Sequence, residues 1–152
     1  MTTPDIAEIL ERAAARAQAA GRPYAGDLTP QEAFALWNAL PGCKLIDVRT
    51  QPELEFVGYV PNSLQVIWQL YPDMQVNPRF AEEVASQARP EEHLLFLCRT
   101  GGRSAAAAAF MTERGYRNCF NVLEGFEGRK DAQGHRGTVE GWKVAGLPWM
   151  NK

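Results

Sequence analysis

The chain has 152 residues, of which 45% are hydrophobic and 22% charged, and it carries 16 basic and 18 acidic side chains. A chain of this length is expected to fold as one ordinary domain with a substantial core. The net charge of -2 argues against a general nucleic-acid binder or a polybasic membrane-surface protein, since either would carry a strong positive excess.

The N-terminal residues predict an amphipathic helix. Between Pro4 and about Ala20 apolar side chains recur at helical spacing, and Gly21 ends the pattern. We therefore divide the chain into an N-terminal helix and linker, residues 1–24, and a main domain, residues 25–152, on which the helix is expected to pack. The chain opens with no basic segment before a long apolar stretch, and no stretch reaches the roughly 18 apolar residues of a membrane span. The expected location is the cytoplasm.

The middle of the chain alternates between strand and helix patterns. Thr29, Pro30 and Glu32 predict a capping box that opens a second helix. Buried strands are predicted at residues 44–48, 63–68, 94–98 and 119–123, and further helices at 79–88, 104–114 and 139–145. This alternation predicts an α/β fold in which helices cover both faces of a parallel sheet.

Polar and reactive side chains follow two of the predicted strands. In parallel sheets the ligand site lies just beyond the carboxyl ends of the strands. Asp47 and Arg49 stand at the end of one strand and Cys98 at the end of another. The other two cysteines, Cys43 and Cys119, are interpreted as passive thiols, and no disulfide framework or metal site is predicted.

The segment CRTGGRS, residues 98–104, has the composition of an anion-binding loop. A cysteine is nucleophilic as the thiolate, which makes up only about 3% of an unperturbed thiol at pH 7. The glycines permit positive φ angles that turn N–H groups inward, and a following helix, predicted from Ser104, points its positive end at the sulfur. Arg99 and Arg103 add charge. The loop is therefore predicted to hold anionic sulfur and to attract small anions, although a plain strand-to-helix corner would also use the glycines.

Four segments occur in a fixed order between about Thr29 and Trp149: LIDVR with GYVPNS, then CRTGGRS, then ERGYRNCFNVLEGFEG, then GWKVAGLPW. In this order they resemble the segments of single-domain members of the rhodanese family of sulfurtransferases. The resemblance implies a central parallel sheet of five strands with helices on both faces. It also implies that Cys98 is the nucleophile at the base of a cradle formed by the residues that follow it, Arg99, Thr100, Gly101, Gly102, Arg103 and Ser104.

The resemblance further implies a sulfur-transfer reaction without a cofactor or metal. Cys98 would take sulfur from an anionic donor such as thiosulfate and hold it as a persulfide. A thiophilic acceptor, cyanide or a thiol, would then remove it, and a sulfur-accepting protein is a further candidate partner. Nucleic acid and membrane are not expected partners.

The chain departs from the family pattern in several places. Tyr59 stands where the family usually has histidine, the segment from Trp68 to Phe80 is unusually long and aromatic, and residues 126–141 form an insertion. Trp68, Tyr71, His135 and Arg136 are candidates for the rim of the site. The alternative interpretation is a solvated elaboration around a core tryptophan.

Other interpretations of the chain remain open. Asp47 and Arg49 are expected to organise the active loop through hydrogen bonds, or else to contact the substrate directly. A cysteine-dependent phosphatase also places a thiolate near an arginine, but its loop has five residues between them, whereas four separate Cys98 from Arg103. The third possibility is a non-catalytic binding or regulatory module of the same fold.

Overall fold

The computed structural model of the protein describes residues 5–152. In chain order the helices and strands are α1 (Ile6–Ala19), β1 (Gly26–Leu28), α2 (Pro30–Ala39), β2 (Lys44–Asp47), α3 (Gln51–Phe56), β3 (Leu64–Gln65), β4 (Gln69–Leu70), β5 (Gln75–Val76), α4 (Phe80–Ala85), β6 (Leu94–Leu97), α5 (Gly102–Glu113) and β7 (Cys119–Val122). Five strands form one sheet in the order β1-β7-β6-β2-β3, and β4 pairs with β5 in a separate hairpin. All four pairings in the large sheet are parallel, so the prediction of a five-stranded parallel sheet is confirmed.

Strand β6 lies at the centre of the sheet and is buried on both sides. Its four residues are each 0% exposed, and successive side chains of a strand point to opposite faces. Leu94 and Phe96 join the apolar cluster that includes α4 and α5, whereas Leu95 and Leu97 join the cluster that includes α1 and α2. Helices therefore cover both faces, as predicted.

Helix α1 packs on the main domain. Its buried residues are Ile9, Ala13 and Ala17, a spacing of four that places them on one face. Asp5 caps the helix by accepting a hydrogen bond from the N–H of Ala7 at 2.9 Å. Pro4, where the predicted helix begins, lies outside the described residues. No helix within residues 5–152 is both long and apolar enough to span a membrane.

Helix α2 begins as its capping box predicts. The Thr29 hydroxyl accepts from the Glu32 N–H at 3.2 Å, and the Glu32 carboxylate accepts from the Thr29 N–H at 3.0 Å. Glu32 also binds Arg16 of α1 at 2.6 Å. This ion pair joins the two helices.

Several elements differ from the sequence prediction. Strand β1, helix α3 and the β4–β5 hairpin were not predicted, the predicted strand at 63–68 shortens to β3, and the predicted helix at 79–88 shortens to α4. The prediction of a helix around Val139–Ala145 is wrong, because this segment consists of bends and turns. Gly141, with a φ of 107°, interrupts it in a conformation that a right-handed helix excludes.

Candidate active site

Cys98 lies directly beyond the carboxyl end of β6 and is 1% exposed. Its Sγ accepts a hydrogen bond from the Gly101 N–H at 3.1 Å. The Ser104 Oγ lies 3.2 Å from the same sulfur. A backbone donor and a hydroxyl thus meet the sulfur inside the protein, where water competes little for either contact.

The loop between Cys98 and α5 is shorter than the sequence predicts. Helix α5 begins at Gly102 rather than at Ser104, so only Arg99, Thr100 and Gly101 separate it from Cys98. Gly101 has a φ of 105°, which is the left-handed conformation predicted for the glycines, whereas Gly102 has already entered the helix. The early start brings the positive end of a 12-residue helix close to the sulfur.

Arg103 is not a free charge. Its two terminal nitrogens bind the two carboxylate oxygens of Glu53 at 2.7 and 2.8 Å. Burial alone would raise the pKa of Glu53, but the hydrogen bonds and charge of Arg103, with hydrogen bonds from Thr50, hold that pKa at about 2. Arg99, by contrast, is exposed, and it is the loop arginine able to meet an incoming anion.

Behind Ser104 a line of buried polar side chains leads away from the sulfur. The Ser104 hydroxyl donates to the Asn121 Oδ1 at 2.5 Å, and the Asn121 Nδ2 donates to the Asp27 Oδ1 at 3.3 Å. The Tyr24 hydroxyl donates to the same Asp27 oxygen at 2.7 Å. Tyr24, Asp27 and Asn121 are not among the predicted site residues. The available signal was Asn121 itself, a polar residue inside an apolar strand, which needs a buried partner.

Asp47 and Arg49 support the loop indirectly. Both side chains are fully buried and pair at 2.7 Å, and Arg49 also donates to the Gly58 carbonyl at 2.7 Å. The Arg49 guanidinium lies 4.2 Å from the centre of the Phe126 ring, and the Phe126 N–H donates to the Cys98 carbonyl at 2.8 Å. The pair therefore reaches the cysteine by packing through Phe126, and no hydrogen bond joins either described side chain to residues 98–104.

The start of the 126–141 insertion binds the loop backbone. The Glu127 and Gly128 N–H groups both donate to the Arg99 carbonyl, at 3.1 and 3.2 Å. Gly125 makes this close approach possible, since a Cβ atom there would lie 2.5 Å from the Arg99 carbonyl carbon and oxygen. The insertion is thus a structural neighbour of the active loop.

The four rim candidates are spread over different environments. Trp68 is buried in the core, with its ring 4.9 Å from that of Phe80 and 5.1 Å from that of Phe110, so its placement at an open rim is corrected. Tyr71 is 66% exposed between the strands of the hairpin. His135 is exposed. Arg136 is half-buried and donates to the Gly128 carbonyl at 3.0 Å. The N–H of Gly128 in turn donates to the Arg99 carbonyl of the loop.

Cys43 and Cys119 lie in apolar surroundings away from the loop. Burial raises the pKa of Cys43 to about 12 and that of Cys119 to about 11. Both are therefore protonated at neutral pH, as expected for passive thiols.

Known proteins are similar to this chain in sequence and in fold. Residues 31–132 match the model of the rhodanese-like domain. An uncharacterised protein of Rickettsia conorii is 38% identical over 110 residues, which cover 70% of this chain and 81% of that protein. A crystal structure from M. tuberculosis is 39% identical with a TM-score of 0.78 and covers 85% of this chain and 99% of its own.

A more distant structure, the polysulfide-sulfur transferase homodimer of Wolinella succinogenes, is 22% identical with a TM-score of 0.59. It covers 98% of this chain and 95% of its own, and it supports the fold. The domain match extends across most of the chain and contains the whole cysteine loop. The chain belongs to the rhodanese-like family.

Proposed function

We propose that this protein is a sulfurtransferase that carries sulfur as a persulfide on Cys98. The observation that carries the proposal is the position of the Cys98 sulfur at the start of α5, where the Gly101 N–H donates to it at 3.1 Å. Donors fixed in advance at the place where negative charge develops are an effective means of stabilising it. The reaction requires no cofactor or metal, because the transferred atom bonds to the cysteine itself.

The reaction has two steps that return the enzyme to its starting state. The Cys98 thiolate attacks the outer sulfur of an anionic donor such as thiosulfate, and a new S–S bond forms as the S–S bond of thiosulfate breaks. Sulfite leaves with the bonding electron pair. Cyanide or a thiolate then attacks the outer sulfur of the persulfide, and the Cys98 thiolate leaves. A protein thiol is a suitable acceptor by the same chemistry.

Arg99 is the residue proposed to attract the anionic donor. It is exposed at the loop, whereas both terminal nitrogens of Arg103 are occupied by Glu53. A guanidinium that no side chain within residues 5–152 binds raises the local concentration of anions at the loop. Because Cys98 is only 1% exposed, we expect the site to accept small donors in preference to bulky ones.

The Arg103–Glu53 pair also disfavours the phosphatase alternative. Binding a phosphoryl group needs an arginine that can offer two parallel N–H groups to oxygen. Arg103 already offers them to Glu53, and the loop leading to it has four intervening residues. A non-catalytic module would not need a backbone donor aimed at a thiol sulfur.

The proposal is tested by loading the protein with thiosulfate. We expect an intact-mass increase of one sulfur atom, its removal by cyanide, and release of thiocyanate in equal amount. Cys98→Ser is expected to abolish both. The matched control is Cys119→Ser, which should load normally. Failure of the wild-type protein to form the adduct with thiosulfate or polysulfide would refute the proposal, and hydrolysis of an aryl phosphate would favour the phosphatase.

A further inference from the structure

Asp27, Asn121 and Ser104 form a buried polar chain that ends at Cys98. Asp27 and Asn121 are register partners on the neighbouring parallel strands β1 and β7, and Ser104 lies in the first turn of α5. These three residues and Cys98 are each at most 4% exposed. Each residue contacts the next. The distance is 3.3 Å from the Asn121 Nδ2 to the Asp27 Oδ1, 2.5 Å from the Ser104 Oγ to the Asn121 Oδ1, and 3.2 Å from the Ser104 Oγ to the Cys98 Sγ.

The chemistry of the groups fixes the direction of each hydrogen bond. The Nδ2 of the Asn121 amide donates to the Asp27 Oδ1, which leaves the Oδ1 of the same amide towards Ser104. An amide oxygen only accepts, so the single hydroxyl proton of Ser104 points to Asn121. What Ser104 presents to the sulfur is therefore a lone pair.

We propose that Asp27 and Asn121 are positioning residues that hold the Ser104 proton away from Cys98, so that the resting thiol donates its proton to Ser104. The thiol form thus has a dedicated acceptor, while the thiolate has the Gly101 N–H as donor and gains nothing from Ser104 unless the Ser104–Asn121 bond breaks. The buried polar chain therefore favours the thiol form of Cys98, whereas the Gly101 N–H favours the thiolate. The balance between these two effects sets the pH at which the nucleophile ionises.

Most charged groups around the buried polar chain of Asp27, Asn121 and Ser104 are held in ion pairs. The titratable and charged groups that face it from the surrounding elements are Arg16, Arg22, Tyr24, Asp47, Glu53 and Arg103. Arg16 and Arg103 are held in ion pairs with glutamates, and Asp47 is paired with Arg49. Burial, with the hydrogen bond to Asp27, raises the pKa of Tyr24. A change in the pH profile of the Cys98 thiol after substitution of Asn121 or Ser104 is therefore attributable to the buried polar chain and not to the surrounding charges.

The test is the pH dependence of Cys98 alkylation by iodoacetamide, followed by intact mass. It needs no sulfur transfer, so its outcome is separate from that of the proposed function. Asn121→Leu releases the Ser104 proton to the sulfur, and we expect the midpoint to move down by at least about half a pH unit, or about threefold in rate below the midpoint. Ser104→Ala removes the acceptor, and its midpoint is expected to fall as well.

The double variant separates positioning from general disturbance. In the Ser104→Ala background, Asn121→Leu should add no further shift, because it acts only through the hydroxyl. Thr112→Val is the control, since it removes from the same helix a hydroxyl that donates to the Ala108 carbonyl and lies beside the Cys119 thiol, outside the contacts that join Ser104 to Cys98, and its midpoint should match the wild type. A rise in the midpoint of Ser104→Ala, or an equal Asn121→Leu shift in both backgrounds, would overturn the proposal. Even if Asn121→Leu does not fold, Ser104→Ala shows in which direction the alkylation midpoint moves when the Ser104 hydroxyl is lost.

Discussion

Glu53 of α3 holds Arg103 of α5 by two parallel hydrogen bonds of 2.7 and 2.8 Å, with both side chains 18% exposed. The two residues are 50 positions apart in the chain, and their pair joins the helix after β2 to the helix that carries the active loop. Two charges that neutralise each other at close range exert little field on a third group beyond them. The pair therefore acts mainly as a structural clamp on the loop.

Arg103→Ala is expected to destabilise the protein more than it changes the thiol. Removing one member of a largely buried pair leaves Glu53 without a partner, and we expect the free energy of unfolding to fall by about 1–3 kcal/mol. The midpoint of Cys98 alkylation should rise by less than about one pH unit, because the Glu53 carboxylate left without a partner adds negative charge near the loop and can lose it by taking up a proton. Urea unfolding and iodoacetamide kinetics on one sample measure both quantities.

The control for this variant is Arg99→Ala, which removes the exposed arginine of the same loop. Its unfolding free energy should stay within about 0.5 kcal/mol of the wild type, as for most surface substitutions. Its KM for thiosulfate should rise. A shift of a full pH unit in Arg103→Ala without loss of stability would show that Arg103 acts on the thiol as a free charge.

Acid is expected to weaken the same clamp. The folded pKa of Glu53 is about 2, against an ordinary value of 4.5, so the carboxylate contributes stability that is fully present above the ordinary value. This stability is lost as the pH falls through about 4.5 towards 2, when the group becomes protonated in both states. Allowing for partial solvent screening, the contribution is about 2 kcal/mol.

Glu53→Gln isolates that contribution. At pH 7 the variant should unfold at lower urea concentration than the wild type, and the gap should narrow as the pH is lowered from 4.5 to about 2. Glu55→Gln, on the same helix, is the control, because among the described residues the Glu55 side chain binds only exposed Gln51. A gap that stays constant across this pH range would mean that Glu53 stabilises the fold without its charge.

The sequence predicts the contiguous part of the site well. The sulfur, its backbone donor and the first turn of α5 all lie within residues 98–104, so the spacing of glycines and arginines is enough to indicate an anion-binding loop. The capping box of α2 is local in the same way. Helix α3 carried a comparable signal, since Glu53 accepts from the Thr50 N–H at 3.1 Å, but its six residues are few for a recognisable period.

The remainder of the site depends on contacts between distant segments. Glu53 reaches Arg103 and Asp27 reaches Asn121 only once the sheet has formed, and no local pattern encodes those pairings. Strand β1 has three residues, too short to show alternation, so the position of Asp27 next to β7 could not be predicted. Long-range pairing of this kind is set by register, which the whole core decides.

Iodoacetamide is expected to label the folded protein once, at Cys98. Cys43 and Cys119 are buried, and burial raises their pKa values to about 12 and about 11, so their thiolate fractions at pH 8 are very small. The intact mass at pH 8 should show a single adduct, and Cys98→Ser should show none until urea unfolds it. Labelling of folded Cys98→Ser at the wild-type rate would contradict the assignment of the reactive thiol.

Gly125→Ala is expected to disable the loop although residue 125 contacts no substrate. An added Cβ would lie 2.5 Å from the Arg99 carbonyl carbon and oxygen and 2.6 Å from the Cys98 carbonyl oxygen, so the loop backbone must move. The φ of 70° adds strain for any residue other than glycine. We expect a stability loss of about 3 kcal/mol, the sum of strain and overpacking, and a large fall in the rate of persulfide formation.

Gly134→Ala separates the clash from the strain. Gly134 has a φ of 81°, but an added Cβ there would meet no atom within 4 Å, so only the conformational strain of about 1–2 kcal/mol remains. Persulfide formation in Gly134→Ala should match the wild type, because residue 134 lies in the insertion beyond the part that binds the Arg99 carbonyl. If both variants load sulfur equally, the close approach of Gly125 to residues 98 and 99 does not position the cysteine, and the insertion acts on the site by another route.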